Sequence, residues 1–353
     1  MRFIIAGINH KTAPIEVREK FFFPREEQTY LLSELKSDPS VAEAVILSTC
    51  NRTEIYANVI EPGAAGLLMK LLFKIKHQQE GPDLRRHFYV HSGEEAIRHL
   101  LRVSCGLDSL VIGEKQILGQ IKEAADLARS TGMMSKEFNI LLNIAIRAGK
   151  KAQTETAIGS GGVSVSWAAV KKAQNVLGDL RDKSVLIIGA GKMSKLAVHN
   201  LTNKGIGQLY VMNRTCEKAA SLASQVQGTC ATFEDIKEIL TNVDVCICSA
   251  SAPHYLVEKD LVREVMAKRG GKRLVLIDVS TPRNIDPQTA SLENVLLITI
   301  DDLDEVVQEN VNSRRIAVAE VEEIITKKIR EFNKKLFKNN CVEKNGFYTC
   351  APV

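Results

Sequence analysis

The sequence predicts an α/β protein of two domains followed by a long helix, and three observations support this. Over residues 1–155, short apolar, β-branched runs alternate with amphipathic helical stretches. At residues 184–194 a buried strand pattern runs into a glycine turn and a helix, as in doubly wound parallel sheets. Residues 301–336 carry apolar side chains mostly at steps of three or four among many charges, which is typical of an amphipathic helix.

Length and composition agree with an ordinary soluble globular protein. The chain has 353 residues, 45% of them hydrophobic and 25% charged, so we expect more than one domain. The sequence shows neither a secretion signal nor an apolar run of the ~18 residues that a membrane span requires. Eight scattered cysteines favour reduced thiols, a cytoplasmic location and no metal site. The net charge of +5 permits an acidic partner without requiring one.

The first domain, residues 1–155, is predicted to be a small sheet covered by helices. Strand patterns occur at residues 3–8, 41–47, 53–59 and 88–90. Helical patterns follow Pro14 and Pro24 and occupy residues 64–76, 94–103 and 136–153. The polar cluster at residues 9–12, directly after the first strand, is either a binding group or a solvated turn.

A cysteine stands on the turn between the second and third strands. Residues 48–52 read Ser-Thr-Cys-Asn-Arg between two apolar strand patterns. A thiol at such a turn is held rigidly, and the guanidinium of Arg52 can lower the pKa of Cys50 and bind a carboxylate. A cysteine at a strand end is more often packing material, and chemistry alone leaves this alternative open.

Two other stretches of the first domain carry groups suited to chemistry. His99 lies on the predicted helix at residues 94–103 and is either a core histidine or an acid–base group. Residues 106–120 combine glycines with short or amide-bearing side chains that can hold a small ligand by directed hydrogen bonds. On pattern alone, this stretch is a loop that enters a helix.

The second domain, residues 156–300, is predicted to bind a dinucleotide. Its boundary is placed at the glycine-rich joint of residues 159–162. Gly189 permits a tight turn, and Gly191 lets the backbone approach a pyrophosphate at a helix N-terminus. Ser194 replaces the third glycine of the usual fingerprint.

The residues after the second strand of this domain favour NADPH over NADH. NAD-preferring proteins usually have an acidic residue there, whereas Arg214 suits a 2′-phosphate and Thr215 can hydrogen-bond to it. A plain helix start after a strand is the alternative. The predicted cofactor-binding residues are Gly189, Ala190, Gly191, Lys192, Met193, Ser194, Asn213, Arg214 and Thr215.

Three blocks of the sequence resemble signature regions of one family, the glutamyl-tRNA reductases. These blocks are residues 7–19, residues 48–56 around Cys50, and residues 106–120, and they occur in the family's order. The resemblance extends from residue 3 to about residue 336. It implies an NADPH-dependent enzyme that opens tetrapyrrole (porphyrin, haem) synthesis.

The resemblance also implies the mechanism and the site residues. Cys50 would attack the ester of glutamyl-tRNA to form a thioester, and NADPH would reduce this thioester to glutamate-1-semialdehyde, with His99 assisting at the carbonyl. The implied substrate contacts are Thr49, Asn51, Arg52, Ser109, Glu114, Lys115, Gln116 and Gln120. Lys115 departs from the family, which usually has proline there. The alternative, a non-catalytic NADP- or tRNA-binding regulator, is disfavoured because Cys50, Arg52 and His99 are present.

The third region, residues 301–353, is predicted to be one helix of about 36 residues, ~54 Å long, with a short tail. It resembles the family's spinal helix, which leads to a dimerisation region that we expect to be largely missing here. The family's homodimer is therefore an open question for this chain. The resemblance further implies a partner, the glutamate-1-semialdehyde aminotransferase that uses the product.

Overall fold

The computed structural model describes the chain except residues 1, 61–62, 160–164, 304–314, 345–346 and 351–353. Its internal contacts divide the chain into two units, Met1–Gly162 with Val311–Val353 and Val163–Asn310. This division does not decide the predicted domain limits after residues 155 and 300, which stay predictions. The predicted glycine joint falls largely on residues 160–164, outside the described residues.

The first unit is built on a four-stranded antiparallel sheet of order β2-β3-β1-β4. Its strands are β1 Arg2–Asn9, β2 Val41–Ser48, β3 Arg52–Val59 and β4 Tyr89–Ser92. The helices from the N-terminal part of the chain are α1 Ile15–Arg18, α2 Arg25–Ser37, α3 Ala64–Ile75, α4 Pro82–Arg85, α5 Glu94–Ser104, α6 Gln116–Ser130 and α7 Lys136–Glu155. These elements confirm the predicted arrangement of two strands around Cys50.

Both faces of this sheet are buried, which explains the uninterrupted apolar run of β1. Phe3 and Ile5 pack into a cluster with side chains of α5, α6 and α7. Ile4, Ala6 and Ile8 point the other way, into a second cluster with side chains of α2 and α3. Alternate side chains of a strand lie on opposite faces, so a strand covered on both sides shows no polar alternation.

The second unit contains six parallel strands in the order β10-β9-β8-β5-β6-β7. The strands are β5 Ser184–Ile188, β6 Gln208–Met212, β7 Thr229–Ala231, β8 Val245–Cys248, β9 Leu274–Asp278 and β10 Val295–Thr299. The helices are α8 Val165–Leu177, α9 Lys192–Asn203, α10 Cys216–Ser224, α11 Ile236–Asn242 and α12 Lys259–Lys268. The order reverses between β5 and β8, which confirms the predicted doubly wound sheet. Ligands of such sheets bind at the carboxyl ends of the strands, at this reversal.

The C-terminal helix differs from its prediction at its start. Helix α13 spans Arg315–Asn340, 26 residues, whereas residues 301–303 form a 3₁₀ turn. The prediction of one helix beginning at residue 301 is therefore wrong there, and residues 304–314 lie outside the described part. The reason is local: the carboxylate of Asp302 accepts hydrogen bonds from the backbone N–H and the hydroxyl of Thr299, both at 2.7 Å, which closes a turn after β10.

The apolar side of α13 is buried within the first unit. Val321, Ile325 and Phe332 belong to the same cluster as side chains of α5 and α7. After α13, the strands β11 Cys341–Lys344 and β12 Phe347–Cys350 pair antiparallel. Within the described ranges, no helix combines the length and apolar character that crossing a bilayer requires.

Candidate active site

The turn that carries Cys50 is held from two sides. Within it, the N–H of Thr49 donates to the carbonyl of Arg52 at 2.8 Å, and Thr49 Oγ1 accepts the N–H groups of Asn51 and Arg52, each at 3.2 Å. From outside, the N–H of His10, the residue after β1, donates to the carbonyl of Asn51 at 2.9 Å. The thiol is thus carried by a fixed turn. Thr49 Oγ1 contributes to this turn, and its predicted contact with substrate stays a prediction.

The position of the Cys50 thiol does not favour its ionisation. Cys50 is partly buried, and burial, followed by the charge of Glu114, raises the pKa of its thiol to about 12. Arg18 and Arg52 act in the opposite direction without compensating. The predicted influence of Arg52, which lowers the pKa of this thiol, is confirmed, but burial and a carboxylate outweigh the guanidinium and the net pKa is raised. The thiol is protonated at neutral pH and needs a base before it can attack.

Arg52 is buried and paired inside the protein. Its Nη1 donates to Glu54 Oε1 at 2.7 Å, and its Nη2 donates to the backbone carbonyl of Asp108. Burial alone would lower the pKa of Arg52, but the neighbouring Glu54 holds that pKa well above its usual range. The guanidinium is therefore charged and fixed. Binding of a substrate carboxylate by Arg52 stays a prediction, and it would use the remaining N–H groups.

Glu54 connects Arg52 to His99. It is fully buried and accepts hydrogen bonds from Arg52, Tyr56, Tyr89 and, at 2.8 Å, His99 Nε2. Burial alone would raise the pKa of Glu54, but Arg52 and His99 hold it well below its ordinary value. Because the ionised carboxylate can only accept, Nε2 of His99 must donate, which leaves Nδ1 as the other ring nitrogen. The sequence analysis missed Glu54, whose position inside a strand gave no signal.

The loop between α5 and α6 is tied to this network through Asp108. Its carboxylate forms ion pairs with Lys11 at 2.6 Å and with Arg102 at 3.0 Å, while its carbonyl accepts the hydrogen bond from Arg52. Near the end of the loop, Gly113 has a φ of 84°, and a Cβ there would lie 2.2 Å from the carbonyl oxygen of Ile158. The loop therefore needs glycine at this point.

Glu114 follows this glycine, and its charge acts on the Cys50 thiol. Burial raises the pKa of its carboxyl to about 7, although Arg52 nearby acts to lower it. Among the charges that act on the Cys50 thiol, that of Glu114 has the largest influence. Ser109, on the same loop, is buried. Electrostatically, Glu114 is thus coupled to both Cys50 and Arg52.

Two predicted substrate contacts have polar atoms that suit a ligand. Asn51 Oδ1 and Gln116 Nε2 are buried and make no hydrogen bond within the described part of the chain. Buried polar atoms are normally paired, so these two are positioned to bind a polar group. Lys115, by contrast, is exposed. Gln120 lines a cavity of about 280 Å³ beside Ser48, whose lining does not include Cys50, Arg52 or His99.

His10 is a candidate site residue that the sequence analysis left without a role in the polar cluster at residues 9–12. Burial, and then the charge of Arg52, lower the pKa of His10 to about 3, so its ring is neutral. Its Nδ1 is buried and has no hydrogen-bond partner among the described residues. A neutral imidazole next to the Cys50 turn can contact a polar group of a ligand.

The second unit has a cavity of about 560 Å³ at the carboxyl ends of its strands. The glycine turn after β5, the residues after β6 and the loop after β8 form its walls. Of the predicted cofactor-binding residues, the lining contains Gly189, Ala190, Gly191, Asn213, Arg214 and Thr215. The cavity therefore lies where a doubly wound sheet binds its ligand.

The glycine turn leaves room for a dinucleotide. Gly189 has a φ of 116°, and a Cβ there would lie 3.0 Å from the carbonyl oxygen of Ser249. Gly191 directly precedes α9, and a Cβ on it would meet nothing within 4 Å. Open space beside the N-terminus of a helix of 12 residues suits a pyrophosphate. Ser194, at the third glycine position, is buried, and its Oγ lies 2.7 Å from Ser249 Oγ, which links this turn to the loop after β8.

Three predicted cofactor contacts, Lys192, Met193 and Ser194, are not in the lining of this cavity, and the lining cation Lys218 was not predicted. Lys192 lines a neighbouring groove of about 450 Å³, and the carbonyl of Met193 accepts a hydrogen bond from Ser166 at 2.9 Å. Lys218 on α10 lines the main cavity together with Arg214. Its position four residues after Arg214, in the first turn of α10, was the available signal.

Fold and site together define a class of protein. The cavity of the second unit fits a pyridine dinucleotide, and the first unit holds a thiol among acidic and basic groups. This combination is that of a pyridine-nucleotide-dependent oxidoreductase.

Comparison with known proteins identifies the family. Residues 6–156 match the family model of the glutamyl-tRNAGlu reductase N-terminal domain, and residues 171–306 match that of shikimate / quinate 5-dehydrogenase. The glutamyl-tRNA reductase of Syntrophotalea carbinolica is 41% identical over 332 residues, which cover 94% of this chain and 75% of the relative. That of Geobacillus kaustophilus is 42% identical over 340 residues, with coverages of 95% and 74%.

A solved structure agrees with these relatives. The glutamyl-tRNA reductase of Methanopyrus kandleri superposes with a TM-score of 0.53 and 34% identity, and the match covers 96% of this chain and 81% of that one. The chain belongs to the glutamyl-tRNA reductase family. The predictions of the family, of its α/β fold and of a reductase using a pyridine nucleotide are thereby confirmed, and no comparison favours the non-catalytic regulator.

Proposed function

We propose that this protein reduces glutamyl-tRNA to glutamate-1-semialdehyde with NADPH, through a thioester on Cys50. The observation that carries the proposal is the fixed Cys50 turn beside the Arg52–Glu54–His99 network, in a chain of this family. A thioester accepts hydride more readily than an oxygen ester does, which gives the covalent step its purpose. The product would enter tetrapyrrole synthesis.

Different residues of the first unit have different roles in acyl transfer. Cys50 Sγ attacks the ester carbonyl and releases the tRNA. His99, held by Glu54, assists at the carbonyl oxygen. Asn51 and Gln116 offer their unpaired polar atoms to the glutamyl group. The fixed charge of Arg52 attracts its carboxylate. Bound NADPH supplies the hydride.

A direct assay tests this function. The purified protein is mixed with glutamyl-tRNA and NADPH, and semialdehyde formation is followed. Cys50→Ser should abolish product formation while leaving the unfolding temperature unchanged, because a turn residue is replaced by one of similar size. Cys230→Ser, an exposed cysteine on β7, is the matched control and should keep full activity. Full activity of Cys50→Ser would refute covalent catalysis, and a wild-type protein that binds tRNA without turnover would be the regulator instead.

We propose NADPH rather than NADH because two cations line the cavity after β6. Arg214 precedes α10 and Lys218 lies in its first turn, and cations suit the charge of a 2′-phosphate. Arg214→Ala should raise the KM for NADPH by about tenfold or more and change that for NADH little. Steady-state kinetics with both cofactors measure this, with Lys204→Ala as the control cation outside the cavity. Equal effects on the two cofactors would remove Arg214 from the phosphate site.

The family resemblance also supports a proposal about assembly. The product is a reactive amino aldehyde, which favours direct transfer to glutamate-1-semialdehyde aminotransferase. Sedimentation of the protein with the aminotransferase tests this, and the absence of a complex in the mixture would contradict the proposal.

A further inference from the structure

Strand β4 brings two further aromatic rings to His99. Tyr89 and His91 alternate along this strand, so their side chains lie on one face of the sheet. The strand register pairs His91 with Ile5 of β1, whose side chain packs in the cluster that contains side chains of α5. His99 stands on α5 and therefore meets both rings.

A glycine in β1 lets Glu54 and Tyr89 meet above the sheet. Gly7 lies between them in the strand register, paired with Glu54 of β3 on one side and with Tyr89 on the other. A Cβ at Gly7 would lie 2.7 Å from Cγ of Glu54. Because no side chain intervenes, the hydroxyl of Tyr89 donates to Glu54 Oε1, the oxygen that also accepts from His99 Nε2. Tyr89 and His99 are thus held side by side by one carboxylate.

The three rings contact one another. The ring centroid of His99 lies 5.0 Å from that of His91, with the ring planes 34° apart, and 5.5 Å from that of Tyr89. The centroids of Tyr89 and His91 are 5.2 Å apart, which completes the triangle. These separations fall in the range of about 4.5–7 Å in which aromatic rings attract one another. The His99 ring is therefore held by ring contacts as well as by its hydrogen bond.

The His91 ring is itself held in place from the helix that carries His99. Its Nδ1 lies 2.8 Å from Oε1 of Glu95 on α5, so the side chain of His91 bridges β4 and α5. Glutamine at position 95 would keep an acceptor oxygen for this bond, so the position of the ring does not depend on the charge of Glu95. The side chain of His91 is 25% exposed and that of His99 11%, so His91 lies nearer to solvent.

We propose that His91 is a positioning residue for His99, whose imidazole its ring holds at the tilt needed to assist at the reacting carbonyl. The inference rests on the function proposed above. The hydrogen bond from His99 Nε2 to Glu54 fixes one ring nitrogen but lets the ring tilt about that bond, which would move Nδ1. Contacts between rings restrict this tilt, and groups that act in catalysis need an orientation fixed to within about 10–20°. His91 acts through His99 and takes no part in bond making.

Acylation without NADPH tests this role. Excess enzyme is mixed with labelled glutamyl-tRNA, and the release of tRNA in a single turnover is measured over a range of enzyme concentrations. His91→Ala should lower the saturating rate about tenfold and leave the half-saturating concentration unchanged, because the ring orients His99 without contacting substrate. His91→Phe keeps an aromatic ring and should retain at least about half of the wild-type rate. His199→Ala, at an exposed histidine on α9, is the matched control and should behave as wild type.

A second readout follows the His99 ring without catalysis. In protein with ¹⁵N-labelled histidine, the Nε2–H proton of His99 should give a slowly exchanging NMR signal, because it is bonded to Glu54. This signal should exchange faster in His91→Ala and be restored in His91→Phe. If His91→Ala does not fold, His91→Leu, which is similar in size but has no ring, takes its place in both comparisons.

The two readouts separate positioning from other roles. Equal saturating rates in His91→Ala and His91→Phe, or an unchanged His99 signal in His91→Ala, would overturn the proposal. A higher half-saturating concentration at an unchanged saturating rate would make His91 a substrate contact and would overturn it too. A wild-type protein that forms no acyl-enzyme would instead refute the proposed function, and the NMR comparison would still decide whether His91 positions His99.

Discussion

Glu54 is the residue whose loss should disturb the site most. It neutralises the buried charge of Arg52 and orients His99, and both partners lie in the interior. Glu54→Gln should reduce semialdehyde formation by at least about 100-fold. It should also lower the free energy of unfolding by about 3–5 kcal/mol, because a buried guanidinium loses its counter-charge. Urea unfolding and the kinetic assay measure the two effects, with Glu95→Gln, an exposed carboxylate on α5, as the control. Unchanged activity would contradict the orienting role.

The same carboxylate predicts how stability depends on pH. The pKa of Glu54 in the folded protein is lowered from its ordinary value of 4.5. Its contribution is therefore fully present above about pH 4.5 and is lost as the pH falls further. The stability of wild type should accordingly fall more steeply than that of Glu54→Gln below this pH.

At the residue scale, the sequence identified the reactive groups better than their environments. The motif around Cys50 pointed to Arg52 and His99, and the structure joins both through Glu54. It could not show that the partner of Arg52 is a carboxylate on the same strand, nor that the charge of Glu114 acts on the thiol. The second fact depends on a distant loop, and burial together with Glu114 raised the thiol pKa against the expectation.

At the scale of elements, the loop after β9 holds one wall of the nucleotide cavity by hydrogen bonds. Asn284, in the loop after β9, donates through Nδ2 to the carbonyls of Ala252 at 2.9 Å and His254 at 3.1 Å. Its own N–H donates to the buried carboxylate of Asp278 at 2.7 Å. Ala252 and His254 line the cavity, so Asn284 is a positioning residue for that wall.

Asn284→Ala should loosen this wall without removing any group that lines it. We expect the KM for NADPH to rise by about tenfold, since two carbonyls lose their buried donor. The rate of acylation of Cys50 without NADPH should stay unchanged, because those residues belong to the other unit. Cofactor titration and single-turnover acylation measure this contrast, and Gln288→Ala nearby serves as the control. A normal KM, or equal losses in both assays, would contradict the positioning role.

Elements were predictable where a strand or helix is long and buried. Strands β5, β6, β8 and β9 follow from continuous apolar runs, whereas β7 and β10 were missed. Strand β7 has only three residues, two of them exposed, and β10 lies at the edge of the sheet with most of its side chains half-buried. The start of the C-terminal helix was misplaced because apolar spacing cannot reveal the turn that Asp302 closes with Thr299.

At the scale of the whole molecule, the two sheets separate two kinds of chemistry along the chain. In the proposed mechanism the first unit carries out acyl transfer, and the cavity of the second unit holds the nucleotide. This division was predictable because both patterns are local in the sequence. One is a pair of strand patterns around a cysteine turn, and the other is a glycine turn after a buried strand. Acylation and reduction should therefore be separable experimentally, which makes the covalent intermediate accessible.

The most direct test of the central claim is to trap that intermediate. The protein is incubated with glutamyl-tRNA carrying labelled glutamate, without NADPH, quenched in acid and analysed by peptide mass spectrometry. We predict a glutamyl adduct on the peptide containing Cys50, absent from Cys50→Ser and converted to semialdehyde when NADPH is added before the quench. Release of tRNA by the wild-type protein with no adduct on Cys50, or an equal adduct in Cys50→Ser, would contradict the account.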